Sequence, residues 1–196
     1  MMIAATRHDK HLLIDILSRS FADNGSVDYV IRQGRGRTRR IRALMDYSIE
    51  VCLRSGKVLL NSERTACALV LYPHRKRTTF GSIRLNIQLV MCAIGITGIG
   101  RVLRRESRIN RTRPMQKMAY LWFIGVPPDR QGAGTGSSLL QEMLAEADRM
   151  GLPVYLETST ERNLPWYGRF GFDEYATLDL GYVLHFMRRM PQGAGG

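Results

Sequence analysis

Apolar positions along this chain recur with two different periods. Leu12, Leu13, Ile16, Leu17 and Ser20 share one face of a helix over residues 10–22, with Asp9 as its cap and Asp23-Asn24-Gly25-Ser26 as the turn that ends it. Ile41, Leu44, Met45, Ser48 and Cys52 predict a second helix over 37–55, with Gly56 as its stop. Leu139, Leu140, Met143, Leu144 and Ala147 mark a third, ending near Gly151. Residues 80–106 read as helical, bent or broken at Gly95, Gly98 and Gly100. Residues 163–170 form a short helix ended by Gly171.

Other apolar runs lack the helical period. Residues 2–7, 58–61, 66–72, 115–126, 153–158, 172–179 and 182–189 read as strands. Residues 27–35 are ambiguous, 108–114 read as a basic loop, and 191–196 as a disordered tail. The order β-α-α-β-β-α-β-α-β-α-β-β predicts an α/β sandwich around a mixed sheet. No repeat or linker divides it, so one domain over 1–190 is expected.

The densest chemistry lies between Tyr120 and Leu140. An apolar strand is stopped by Pro127 and Pro128; then come Gln131, Gly132, Ala133, Gly134, Thr135, Gly136 and Ser137, and a helix begins at once. Strand, glycine loop and helix N-terminus make an anion cradle, because free N–H groups and the helix dipole both favour negative charge. A Walker loop is excluded by the missing lysine. A Gly-x-Gly-x-x-Gly fingerprint fails at Ser137 or at Leu139.

Gln131-x-x-Gly134-x-Gly136 after a strand resembles the pyrophosphate-binding pattern of the GNAT superfamily of acetyl-CoA-dependent N-acetyltransferases. A second block lies downstream: Leu156-Glu157-Thr158-Ser159, then Arg162-Asn163-x-Pro165-x-Tyr167, then Gly171-Phe172. It is similar to the antibiotic-acetylating branch that includes puromycin acetyltransferases. The two blocks cover roughly the C-terminal half. The resemblance implies a mixed, mostly antiparallel sheet flanked by helices and splayed between its fourth and fifth strands, where acetyl-CoA enters as co-substrate. It implies that the backbone of Phe123, Ile124 and Val126 pairs with the pantetheine arm. The N–H groups from Gln131 to Ser137 would take the pyrophosphate, and an N–H near Phe123 or Ile124 would polarise the acetyl carbonyl.

Composition narrows the alternatives. A 44% hydrophobic chain of 196 residues buries a full core. Cys52, Cys67 and Cys92 are odd in number and lack metal spacing, so buried thiols and no metal are expected, in a reducing cytoplasm. The first residues lack the apolar core of a secretory signal. The apolar run 86–103 is interrupted by Asn86, Gln88 and Thr97, so a packed helix or a cleft wall is expected rather than a membrane span. The net charge of +12 comes largely from two arginine clusters, at 32–42 and 101–113. Neither cluster is interleaved with aromatics, which counts against a nucleic-acid-binding protein. The resemblance leaves a homodimer open.

Acetyl transfer to an amine needs the thioester held, its carbonyl polarised, the amine deprotonated and the leaving thiolate protonated. By resemblance, Tyr167 donates to the sulfur and Asn163 contacts the pantetheine. Read from the residues alone, Tyr167 is a core aromatic and Asn163 a helix cap. The central strand carries no acid, so Glu157 is the nearest candidate base; its other role is a buried pair with an arginine. The acceptor pocket is expected from residues 21–29, the helix over 80–105 and the last hairpin, with Asp23, Asp28, Tyr29 and Trp122 lining it. The acceptor is read as a small-molecule primary amine. The competing reading is a non-catalytic acyl-CoA-binding module.

Overall fold

The computed structural model describes residues 1–75 and 80–193, with residues 80–82 given by backbone alone. The last three positions of the expected tail, 194–196, lie outside the described residues. The elements run in the order β1 (Met2–Ala4), α1 (Lys10–Ser20), α2 (Gly25–Val30), α3 (Arg37–Ser55), β2 (Gly56–Asn61) and β3 (Cys67–Leu71). Then come α4 (Phe80–Leu89), α5 (Ile99–Thr112), β4 (Ala119–Gly125), α6 (Thr135–Arg149), β5 (Val154–Thr158), α7 (Leu164–Gly168), β6 (Asp173–Asp179) and β7 (Val183–Arg189).

One sheet runs through the described residues in the order β1-β2-β3-β4-β5-β7-β6. Every neighbouring pair is antiparallel except β4 and β5. The mixed, mostly antiparallel sheet expected from the resemblance is therefore present.

Both faces of the central strands are covered. Leu69 of β3 packs with Leu13, Leu17, Met45 and Ile49 under α1 and α3. Its neighbours Ala68 and Val70 pack with Leu139, Leu140 and Met143 under α6. This is why residues 66–72 read as a continuous apolar run, since successive side chains go to opposite faces and neither face meets water. Each fully buried leucine, such as Leu13 or Leu140, contributes about 1.5–3 kcal/mol.

Several expectations change with the third dimension. Asp9 does not cap α1 through its side chain; its carboxylate turns back and accepts from the Thr6 backbone N–H at 2.7 Å. Gly56 follows α3, but its φ of −160° is extended rather than left-handed, and it opens β2 directly. Its reason is space: a Cβ there would lie 2.0 Å from the Val70 carbonyl oxygen. The expected basic loop at 108–114 is helical through Thr112, because Ile109 is buried and arginine is a good helix former. The ambiguous stretch after Ser26 is the short helix α2, capped by Asn24, whose Oδ1 accepts from the Val27 N–H at 3.1 Å. The strand expected at 115–126 narrows to Ala119–Gly125, since pairing with β3 begins only at Tyr120.

The apolar run after Phe80 continues α4 into a π-helical turn, Val90–Ile94, and breaks at Gly95, whose φ is +76°. The helical stretches on either side meet at 102°. Among the described residues no single helix is long and apolar enough to cross a membrane, while this bent pair passes on length and composition.

Candidate active site

The parallel pair at the centre of the sheet is short. β4 and β5 pair only through Ala119 with Val154 and Tyr120 with Tyr155. Beyond Tyr120 the pairing stops, and the edge of β4 from Leu121 to Gly125 has no strand partner on that side among the described residues. On the other side, Leu69 pairs with Phe123 and Val70 with Leu121, so Trp122 is an extra residue on β4. Such a bulge bends its strand and re-aims the local N–H and side chain. The splay and the bulge thus fall on the same few residues.

A cleft of about 1600 Å³ runs through the splay, well above the ~300–1,000 Å³ that holds one drug-sized ligand. Phe123, Ile124, Val126, Gln131, Gly132, Gly134, Thr135, Gly136, Ser137 and Asn163 all line it. Of the expected cofactor residues only Ala133 does not.

At one end lies the glycine loop. Gly132 and Gly134 have φ of +85° and +79°, a conformation that costs other residues about 1–2 kcal/mol. Gly134 is the position before α6, and the first helical turn closes with the Ser138 N–H on the Gly134 carbonyl at 3.0 Å. Among the described residues the N–H groups of 132–137 make no hydrogen bond. Gln131 braces the loop by donating from Nε2 to the Val126 carbonyl at 2.9 Å. Arg162 and Arg169 also line the cleft and make no ion pair among the described residues. Unsatisfied N–H groups, a helix N-terminus and unpaired arginines together suit a polyanion such as the pyrophosphate of coenzyme A.

Beside the loop stands α7. Asn163 precedes it and makes no side-chain cap bond, so the cap role considered for it is not realised. Tyr167 is 6% exposed, packed against Trp166 and Phe172 with ring centroids at 4.7 and 5.6 Å. Burial pushes its phenol above the ordinary range, so it stays protonated at neutral pH. Trp166 ties α7 to α6 by donating from Nε1 to Ser137 Oγ at 3.0 Å.

Past the bulge, Glu157 sits at the end of β5. Arg113 donates to it three times, Nη2 to Oε1 at 2.9 Å, Nε to Oε1 at 3.1 Å and Nη2 to Oε2 at 3.1 Å, and the Tyr120 hydroxyl donates to Oε2. The Arg113 guanidinium lies 4.1 Å over the Tyr120 ring. The arginine partnership considered for Glu157 is therefore present, and the carboxylate lines the cleft as well. Burial pushes the Tyr120 phenol well above its usual value, and the charge of Glu157 adds to the effect.

The acceptor residues divide. Asp23 and Trp122 line the cleft; Asp28 and Tyr29 do not. Asp28 is taken by Arg37, Nη2 to Oδ1 at 2.6 Å, and Tyr29 packs edge-on against Tyr182. Sequence reading missed Tyr47, Arg105, Glu106 and Arg113, which also line the cleft. Tyr47 lies on the helix read over 37–55 but outside its apolar stripe, and Arg105 read as one member of a charge cluster. Only the packing of α3 and α5 against the splay brings them together.

A profile of the Acetyltransferase (GNAT) family matches residues 89–172. Over 78 residues the chain is 42% identical to an uncharacterized N-acetyltransferase of Schizosaccharomyces pombe, covering 37% of this chain and 32% of that protein. The match thus spans about a third of that relative's length. Two solved structures show the same fold across nearly the whole chain. One, a histone acetyltransferase HPA2 and related acetyltransferase from Corynebacterium glutamicum, has a TM-score of 0.71 and 20% identity over 100% of this chain and 98% of that one. The other is arylalkylamine N-acetyltransferase 2 from Aedes aegypti, at 0.68 and 14% over 98% and 99%. Residues 89–172, which hold the splay, the bulge and the glycine loop, thus match the GNAT acetyltransferase family, and the fold of the whole chain is that of these acetyltransferase structures.

Proposed function

We propose that this protein is an acetyl-CoA-dependent N-acetyltransferase that moves the acetyl group directly to the primary amine of a small molecule. The observation that carries the reading is one cleft lined by the free N–H cradle of 132–137, the buried, protonated Tyr167 and Trp122 of the bulge. Acetyl-CoA, when bound, supplies the activated acetyl group. The loop N–H groups and Arg162 and Arg169 hold its phosphates, and the unpaired edge of β4 takes the pantetheine amides as an added strand would.

An N–H at the Trp122 bulge polarises the thioester carbonyl. The acceptor nitrogen forms the N–C bond as the C–S bond breaks, and its proton passes to Glu157 or through it to solvent. Tyr167 gives its proton to the departing sulfur. Small-molecule acceptors are supported by the depth of the cleft, and the antibiotic-acetylating branch by the Glu157-Thr158-Ser159 and Arg162-to-Tyr167 strings.

A second reading is a non-catalytic acyl-CoA-binding module, favoured by the absence of any acid on β4. A thermal melt with acetyl-CoA, coenzyme A and ATP tests the cofactor half of both readings. Stabilisation by the first two alone supports the site; no shift with either removes it. Thiol release across a panel of amines then separates enzyme from module.

A further inference from the structure

The acceptor half of the cleft has an uneven chemistry. Apolar side chains make one wall, Leu44 and Val51 of α3, Leu89 of α4, Val90 after it, Val102 of α5 and Trp122 of β4, while Tyr47, Asn86 and Asn110 are polar residues that also line the cleft. Six arginines and three carboxylates line the cleft as a whole, namely Arg19, Arg105, Arg113, Arg130, Arg162 and Arg169 against Asp23, Glu106 and Glu157. Such a cleft repels a polycation. Glu157 is 7% exposed, and both its oxygens are committed to Arg113 and Tyr120.

Glu106 differs. Its side chain is 46% exposed. Oε1 meets Arg105 at 2.5 Å, while Oε2 makes no hydrogen bond or ion pair among the described residues. Arg105 is itself fully engaged, donating to the Tyr182 hydroxyl at 2.8 Å and to Ser26 Oγ at 2.6 Å. It therefore orients Glu106 without consuming it. The charge of Glu106 reaches the heart of the site: after burial, it is the second cause that raises the Tyr47 phenol, and it also acts on Tyr120 and Arg113. Tyr47 in turn meets the Trp122 ring edge-on at 6.3 Å.

We infer that the acceptor is a monoamine with an apolar body, and that Glu106 Oε2 is the specificity residue that receives its ammonium group. The inference rests on the acetyltransferase reading and narrows its substrate class. One carboxylate oxygen is open, so one cationic centre is accommodated. The apolar wall buries a phenyl or alkyl body better than a sugar or a polyamine, and Tyr47 and Asn86 are already hydrogen-bonded to each other at 2.8 Å.

The test is steady-state thiol release with acetyl-CoA and three acceptors: 2-phenylethylamine, spermidine and kanamycin. The expected order of kcat/KM places 2-phenylethylamine first. Glu106→Gln raises its KM about tenfold, the loss of one charge-assisted hydrogen bond, while the Kd for acetyl-CoA holds. Faster turnover of spermidine or kanamycin overturns the inference and leaves the acetyltransferase standing, as does an unchanged KM in Glu106→Gln. If acetyl-CoA binds but no amine is turned over, the transferase reading fails instead. Calorimetric binding of 2-phenylethylamine to the coenzyme A complex then decides the inference. Binding that Glu106→Gln weakens supports it; no binding to the wild-type protein overturns it.

Discussion

Arg113 and Glu157 meet through Nη2 and Oε1 at 2.9 Å, joining the last residue after α5 to the end of β5 where the sheet opens. Both side chains are largely buried, at 18% and 7% exposed. Burying either charge alone is costly; together, and with the Tyr120 hydroxyl, they are satisfied.

Arg113→Ala strands a buried carboxylate. It is expected to cost about 3 kcal/mol, lowering the melting temperature by about 6–12 °C. Glu157→Gln keeps the shape and removes the charge, so it separates the two roles of this residue. A fall in kcat of about a hundredfold or more marks a base. A kcat within a few-fold of wild type, with only a lowered melting temperature, assigns Glu157 to structure.

Tyr167→Phe removes one hydroxyl from a position where no protein partner is lost among the described residues. The folded state is expected to be preserved and the Kd for acetyl-CoA unchanged. With general-acid catalysis absent, kcat should drop by about 10²-fold. Retention of wild-type kcat ends the acid assignment.

Gly134→Ala forces a side chain into φ near +79° at the entry to α6. The strain of about 1–2 kcal/mol moves the N–H groups off their aim. Titration calorimetry should show acetyl-CoA binding weakened about tenfold, and the melting temperature of the unliganded protein should fall by about 2–8 °C.

Two of the three thiols are sealed. Cys52 and Cys67 are fully buried and burial pushes both well above their ordinary value of 9.0, whereas Cys92 is exposed. A native titration with a chromogenic disulfide should count one thiol rapidly and three after unfolding.

The same burial, with that of Tyr120 and Tyr167, sets an alkaline limit. These groups hold their protons more tightly folded than unfolded. Their stabilisation is complete below the unfolded values of 9.0 and 10.0, and is lost as pH rises beyond them. Melting temperatures should be flat from about pH 7 to 9 and fall above pH 10. A melt insensitive to pH across this range would contradict the burial of these groups.

Much of the fold was legible because local signals agreed with it. The stripe Ile41, Leu44, Met45, Ser48, Cys52 gave α3 its observed bounds, Arg37–Ser55. The apolar face of residues 139–147 gave the buried side of α6. Gln131 to Gly136 read as an anion cradle from composition and order alone, since glycine spacing and a following helix are local properties.

What the sequence left open depends on which elements meet. Gly56 ends α3 as its position suggested, but the reason for glycine there, the Val70 carbonyl in the space of a Cβ, comes from a strand fourteen residues on. Asp28 looked like a pocket acid until Arg37, nine residues later, claimed it. Arg113 read as one more loop cation, and Glu106 carried no signal at all. Their roles appear only when α5 turns at Gly95 and lies across the diverging ends of β4 and β5. Spacing along the chain fixes which face of an element is apolar, but long-range packing decides which charge is left with an open oxygen.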